Sequence, residues 1–274
     1  MYIDAHSHLQ FSEYDGDRED VIRRMGDGGV RTFTVGTNYR TSKDALLLAQ
    51  RHPDIVRAIV GLHPIYASDT YASREEGGTE EFDEEAYTLL VKKGGGIVVG
   101  IGECGLDYFH ADEGARKAQQ RAFRAQLTFA LHHNLPLMLH IRPSKGTVDA
   151  YEDALRILNE SQYREKLRGD VHFFAGSWEI AKRFLALHFS LSFTGVITFV
   201  HDYDEVVKNT PMEYILSETD APYVSPVPYR GKRNEPLFVK EIVQRIAELK
   251  NLPTEKVVKQ IEENVNTLFH PHFS

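Results

Sequence analysis

One cysteine, Cys104, stands in 274 residues. A lone thiol excludes an intrachain disulfide framework and a thiolate-built structural zinc site, and it fits a reducing compartment. Cationic excess is missing as well: 32 lysines and arginines face 40 aspartates and glutamates, a net charge of −8. No global basic field draws in nucleic acid, so any phosphate affinity has to be local. No apolar run is long enough to cross a bilayer. No secretory leader is expected, because the chain enters its first strand at Tyr2 and turns polar at once. The expectation is a cytoplasmic protein. There is no internal repeat and no low-complexity tail.

What is present is a regular alternation. Strand-like apolar runs fall at 2–8, 31–36, 55–62, 97–103, 135–141, 170–174, 189–197 and 213–219. Amphipathic helical stretches lie between them at 17–27, 42–51, 82–93, 115–133, 147–159, 178–186 and 235–250, with a last helix at 254–268 capped by Thr254. The hydrophobic content of 42% supplies one large core. Eight mostly continuous apolar strands, each followed by a helix or loop, predict a parallel sheet covered on both faces. Closure into a single-domain (β/α)8 TIM barrel over residues 1–274 is the expected architecture, with an open doubly wound sheet as the competitor. The polar, Gly- and Glu-rich segment 66–82 reads as a surface loop.

Metal-type side chains recur where these strands end. In Asp4-Ala5-His6-Ser7-His8, the period of two in a strand puts His6 and His8 on one face. His63 follows the third strand, Glu103 closes the fourth, His140 the fifth, His172 lies in the sixth and Asp220 follows the eighth. In a barrel those ends converge on one mouth. Imidazole and carboxylate ligands suit Zn, Mn, Fe or Ni, and Mg where water completes the shell. The ligands are too many for one ion, so a pair of divalent metals bridged by Glu103 is expected. A buried Glu103 without a counter-charge would be costly, and a metal removes that cost. The surrounding glycines look superficially like a nucleotide loop and are discounted as one. Cys104 reads as a small buried residue. His52, His132, His133, His188, His270 and His272 read as ordinary core or surface histidines, whereas His110 and His201 lie in loops that can reach the mouth. Arg230, Lys232 and Arg233 form a local cationic cluster near Asp220, and Arg142 shares a face with His140. All four are candidate phosphate contacts.

Taken together, DAHSH (4–8), GLHP (61–64), GIGECGLDY (100–108), QQRAFRAQL (119–127), LPLMLHIR (135–142), VHFFAGS (171–177), ETDAPY (218–223) and RGKRNEP (230–236) resemble the TatD family of metal-dependent deoxyribonucleases, within the wider amidohydrolase-like barrels. They occur in the family's order and cover nearly the whole chain. The resemblance implies that His6, His8, Glu103 and Asp220 hold one metal and that Glu103, His140 and His172 hold the other. It implies that His63 contacts water or phosphate beside them. It further implies cleavage of DNA phosphodiesters, often from the 3′ end, supported by Mg or Mn. Two motifs depart from the family pattern. Ile141-Arg142-Pro143 stands where Ser-Arg-Asp is common, and His172-Phe173-Phe174-Ala175-Gly176 where His-Cys-Phe-Ser-Gly is common.

The leading expectation is a two-metal deoxyribonuclease using Mg2+, Mn2+ or Zn2+, in which Glu103, Asp220 and His63 carry the chemistry. The rival is a metal-dependent amide, ester or lactone hydrolase, including an aminoacyl-tRNA deacylase, since one fold serves many substrates. A non-catalytic module that keeps its metals for structure is the third class.

Overall fold

A computed structural model describes residues 1–69 and 78–273. Eight strands form one parallel sheet in chain order: β1 Tyr2–Ser7, β2 Val30–Val35, β3 Val56–Val60, β4 Val98–Asp107, β5 Leu137–Arg142, β6 Gly169–His172, β7 Phe189–Phe193 and β8 Ile215–Ser217. The sheet curls until its edges meet. Asp220 donates its backbone N–H to the His6 carbonyl at 2.9 Å, and His8 donates to that of Ala221 at 2.7 Å. The fold is a (β/α)8 barrel, and that seam excludes the open doubly wound sheet.

Asp4 fastens the closure. Its buried carboxylate accepts from the Thr219 backbone N–H at 2.7 Å, the Thr219 hydroxyl at 2.8 Å and the Thr32 hydroxyl at 3.1 Å. Burial raises its pKa, and the three donors work against that rise. The motif's aspartate thus joins β8, β1 and β2, while its histidines are left to face the mouth.

Helices wrap the outside: α1 Arg18–Asp27, α2 Tyr39–Arg51, α3 Glu84–Gly94, α4 Glu113–His133, α5 Asp149–Leu158, α6 Trp178–Leu185, α7 Asp204–Asn209, α8 Val239–Lys250 and α9 Thr254–Phe269. Their starts follow local chemistry. Asn38 and Thr41 form a reciprocal capping box at α2, and the Asp112 side chain accepts from Ala115 N at 2.8 Å at α4. Helix α4 turns Phe123, Leu127 and Phe129 inward to fully buried positions. Each such side chain contributes about 1.5–3 kcal/mol by leaving water. At the base of the barrel, Phe33 packs against Phe269 and Phe273, and the buried Arg57 donates to the carbonyls of Pro271 and His272.

Several boundaries differ from the sequence reading. Strand β4 runs on to Asp107, because a glycine in a strand need not end it. Gly100-Ile101-Gly102-Glu103-Cys104-Gly105 does carry the G-x-G-x-x-G spacing, yet it lies inside β4 and not at a strand-to-helix turn, so it forms no dinucleotide loop. Strands β7 and β8 are shorter than expected, giving way to tight turns at Gly195–Thr198 and Met212–Tyr214. Helix α7 was not foreseen. At α9 the cap position is Pro253 and not Thr254, whose hydroxyl instead donates to the Gln244 side chain. Within the expected loop 66–82, residues 70–77 lie outside the described ones.

Candidate metal centre

The C-terminal strand ends deliver a cluster of imidazoles and carboxylates to one buried place. Period two in β1 does what it predicts: the Nε2 atoms of His6 and His8 lie 3.2 Å apart. Strand β4 brings Glu103 to the middle. Gly105, at φ +141°, lets β4 press against β5, since a Cβ there would sit 2.1 Å from the His140 carbonyl oxygen. Glu103 is 3% exposed and faces five imidazoles. Its Oε1 lies 2.8 Å from His140 Nδ1, 3.1 Å from His172 Nε2 and 3.5 Å from His63 Nε2. Its Oε2 lies 3.5 Å from His6 Nε2 and 3.8 Å from His8 Nε2. Asp220 Oδ1 closes the cluster at 3.5 Å from His8 and 3.9 Å from His6.

Supporting contacts set the tautomers. His8 donates Nδ1–H to the Val35 carbonyl at 2.8 Å, and His172 donates Nδ1–H to Glu218 Oε1 at 3.0 Å. Both Nε2 atoms therefore point into the cluster, the arrangement in which an outer partner orients a metal-binding histidine. The flat face of Phe11 stacks on His8 with centroids 4.5 Å apart. His63 is different: its Nδ1 accepts from the Ile65 backbone N–H, so Nε2 carries the proton and faces Glu103 as a donor. Burial, with His140 beside it, pushes His63 down to about 3, and the ring stays neutral. Burial opposes ionisation of Glu103, but the surrounding histidines hold it well below the usual carboxylate range.

The donor set fits divalent cations. Several buried nitrogen and oxygen lone pairs face one another, no lysine or arginine pairs with Glu103 or Asp220 among the described residues, and His6 Nδ1 is buried without a hydrogen-bond partner. Atoms sharing an ion at about 2.1 Å lie roughly 3.0–3.4 Å from each other, which is close to the spacings above. Two overlapping groups stand out, His6–His8–Glu103 and Glu103–His140–His172, with Glu103 common to both.

Other residues singled out from the sequence fall in two places. Arg142 lines the cavity above the cluster, with its guanidinium 4.0 Å over the Phe109 ring, and His110 lines it too. Arg230, Lys232 and Arg233 do not line that cavity. Arg230 sits over Phe199 and donates to the Ser225 carbonyl, Lys232 lies 6.0 Å from the Tyr229 ring, and Arg233 grips Asp17 with two bonds of 2.7 and 2.8 Å. His201 is held at the surface by Arg245 and Asp204.

Two acids escaped the sequence reading. Asp107 receives His140 Nε2 at 3.1 Å. Burial resists its ionisation, yet that contact helps hold it down to about 2. Glu218 supports His172 as described. The signal was available for Asp107, four residues from Glu103 in one strand and so on the same face; Glu218 lies just past the end of β8, where strand alternation no longer applies.

Comparison with known proteins agrees with this geometry. The family model described as "TatD related DNase" matches residues 3–270. The chain is 38% identical to the "uncharacterized metal-dependent hydrolase YabD" of Bacillus subtilis, over 98% of this chain and 99% of that protein. It is 32% identical to the "3'-5' ssDNA/RNA exonuclease TatD" of Pantoea vagans, over 97% and 98%. Among solved structures, a TatD homologue from Escherichia coli superposes with a TM-score of 0.85 at 26% identity, covering 98% of both chains.

Proposed function

The chain belongs to the TatD family of metal-dependent hydrolases, and from that premise we propose that it is a nuclease. In this reading two divalent metals serve the hydrolysis of phosphodiesters in single-stranded DNA, working from the 3′ end. The observation that carries the two-metal reading is the position of Glu103, whose two oxygens face different sets of imidazoles. His6, His8, Glu103 and Asp220 would hold one ion, and Glu103, His140 and His172 the other. When bound, Mg2+, Mn2+ or Zn2+ acidifies water and offsets negative charge growing on phosphate oxygens.

The chain's own groups supply the rest. Asp220, beside His8, would orient the attacking water and accept its proton; burial opposes its ionisation, but the His8 contact and the neighbouring histidines outweigh that and hold it below the usual carboxylate range. Neutral His63 presents Nε2–H to the same space as a hydrogen-bond donor. Arg142, braced on Phe109, offers a charge-assisted contact to a phosphate at the cavity wall. The substrate assignment draws support from the exonuclease name of the Pantoea relative.

The test is a panel of substrates given to protein stripped with chelator and reloaded with Mg2+, Mn2+ or Zn2+. Expected is stepwise shortening of 5′-labelled single-stranded DNA, restored by metal and lost in Asp220→Asn. Turnover of aminoacyl-tRNA or simple amides with intact DNA would transfer the chain to the amide and ester hydrolases.

A further inference from the structure

The cavity above the cluster measures about 850 Å³, and Arg40 and Arg142 are its only lysine or arginine side chains among the described lining residues. They come from separate walls. Arg142 ends β5, whereas Arg40 is the second residue of α2, which follows β2 three strands away. Arg142 is braced by an aromatic ring. Arg40 is 75% exposed, and its ion pair with Asp44 spans 4.0 Å. Among the described residues Glu80 also feels the Arg40 charge, and its carboxylate accepts from the Tyr39 backbone N–H at 3.3 Å.

The helix gives this arginine only a long i,i+4 ion pair with Asp44. A cation in the first turn opposes the macrodipole, and α2 has no acidic residue in that turn to offset it. The capping box of Asn38 and Thr41 already secures the helix start. The rest of the charged lining is carboxylate and imidazole, which repels or ignores an anion unless metals are bound. A largely exposed guanidinium at that rim, loosely paired with Asp44, is suited to an anion outside the metal cluster.

We propose that Arg40 is a second phosphate subsite, contacting a backbone phosphate other than the one being hydrolysed. This rests on the nuclease reading and narrows it. The substrate becomes a strand with at least two phosphates, bound from the β5 wall to the β2 wall, and not an isolated phosphate ester.

The experiment measures binding, by fluorescence anisotropy, of a fluorescein-labelled phosphorothioate oligothymidylate decamer to the metal-loaded protein between 50 and 200 mM salt. Wild type is compared with R40Q, R40K and R164Q; the last removes the same charge from a turn away from the cavity. R40Q is expected to bind several-fold more weakly at 50 mM. Its log–log salt slope should be shallower by about 0.7, the value for one single-strand phosphate contact, so its deficit shrinks roughly 2.5-fold by 200 mM. R40K should keep the wild-type slope, and R164Q should match wild type. Equal behaviour of R40Q and R164Q, or no salt-dependent binding by wild type, overturns the subsite. Cleavage of the unmodified decamer is scored separately: binding that depends on Arg40 without cleavage retains the subsite and removes the nuclease reading.

Discussion

Replacing Glu218 by Gln isolates one charge behind the metal centre. Glu218 is fully buried; it accepts from His172 Nδ1 at 3.0 Å, Phe173 N at 2.7 Å and Ser192 Oγ at 2.7 Å. Gln keeps the volume and one oxygen. With that oxygen toward His172 and Phe173, its NH2 can donate to Ser192, whose single hydroxyl proton is then free to turn to Asp170, 2.5 Å away. The contacts survive while the negative charge that makes His172 a stronger ligand disappears. Loss of such an outer partner weakens metal affinity by about 10–100-fold, or roughly 1.4–2.7 kcal/mol. The metal-free protein should melt within a few degrees of wild type, because the hydrogen bonds are kept and Asp170, pushed up to about 8 by burial and then by Glu218, no longer has a charge beside it that opposes its ionisation. The assay is chelator competition with Mn2+ or Zn2+, paired with thermal melting of stripped protein. The reasoning fails if E218Q binds metal as tightly as wild type, or if the stripped variant alone collapses.

Metal removal should itself lower stability. At ion concentrations 100-fold above Kd, binding adds about 2.7 kcal/mol, so chelation should drop Tm by roughly 5–10 °C; an unchanged melt would argue against a preformed site. Asp149 offers a pH test. Burial pushes its pKa up, but bonds from Ser144 and neighbouring donors hold it down to about 2. Its folded value lies below the unfolded one, so its stabilisation is full above about pH 4 and is lost as pH falls toward 2. D149A should cost about 1–2 kcal/mol at pH 7, with variant and wild-type melting curves converging in acid; a constant gap would refute this. Arg57 is 6% exposed and ties the tail to the barrel base through the Pro271 and His272 carbonyls. R57A should destabilise by about 2–4 kcal/mol and speed amide exchange near residue 273. A Tm within 2 °C of wild type would show the contact to be idle.

Much of this was readable in the chain because barrel strands announce themselves locally. A buried parallel strand needs a run of apolar residues, and a covering helix needs a 3.6-residue stripe, so the alternation of the two is visible without coordinates. His6 and His8 were paired by strand period alone. Boundaries were harder: β4 is expected to close at Glu103, but Gly105 permits close approach to β5, and the strand continues far enough to present Asp107. The arginines after Asp220 show the reverse limit. Proximity in sequence placed Arg230, Lys232 and Arg233 near the mouth, but Arg233 turns to Asp17, which is 216 residues away.

By itself the sequence determined which residues could bind metal and which strand ends carry them, because donor chemistry and side-chain alternation are properties of short segments. Only the tertiary structure decided which donors face one another, that Asp4 seals the seam while Glu103 stands among five histidines, and that Arg40 shares a cavity with Arg142. Those facts depend on how strands far apart in the chain register around a closed barrel, and no local pattern encodes that registration.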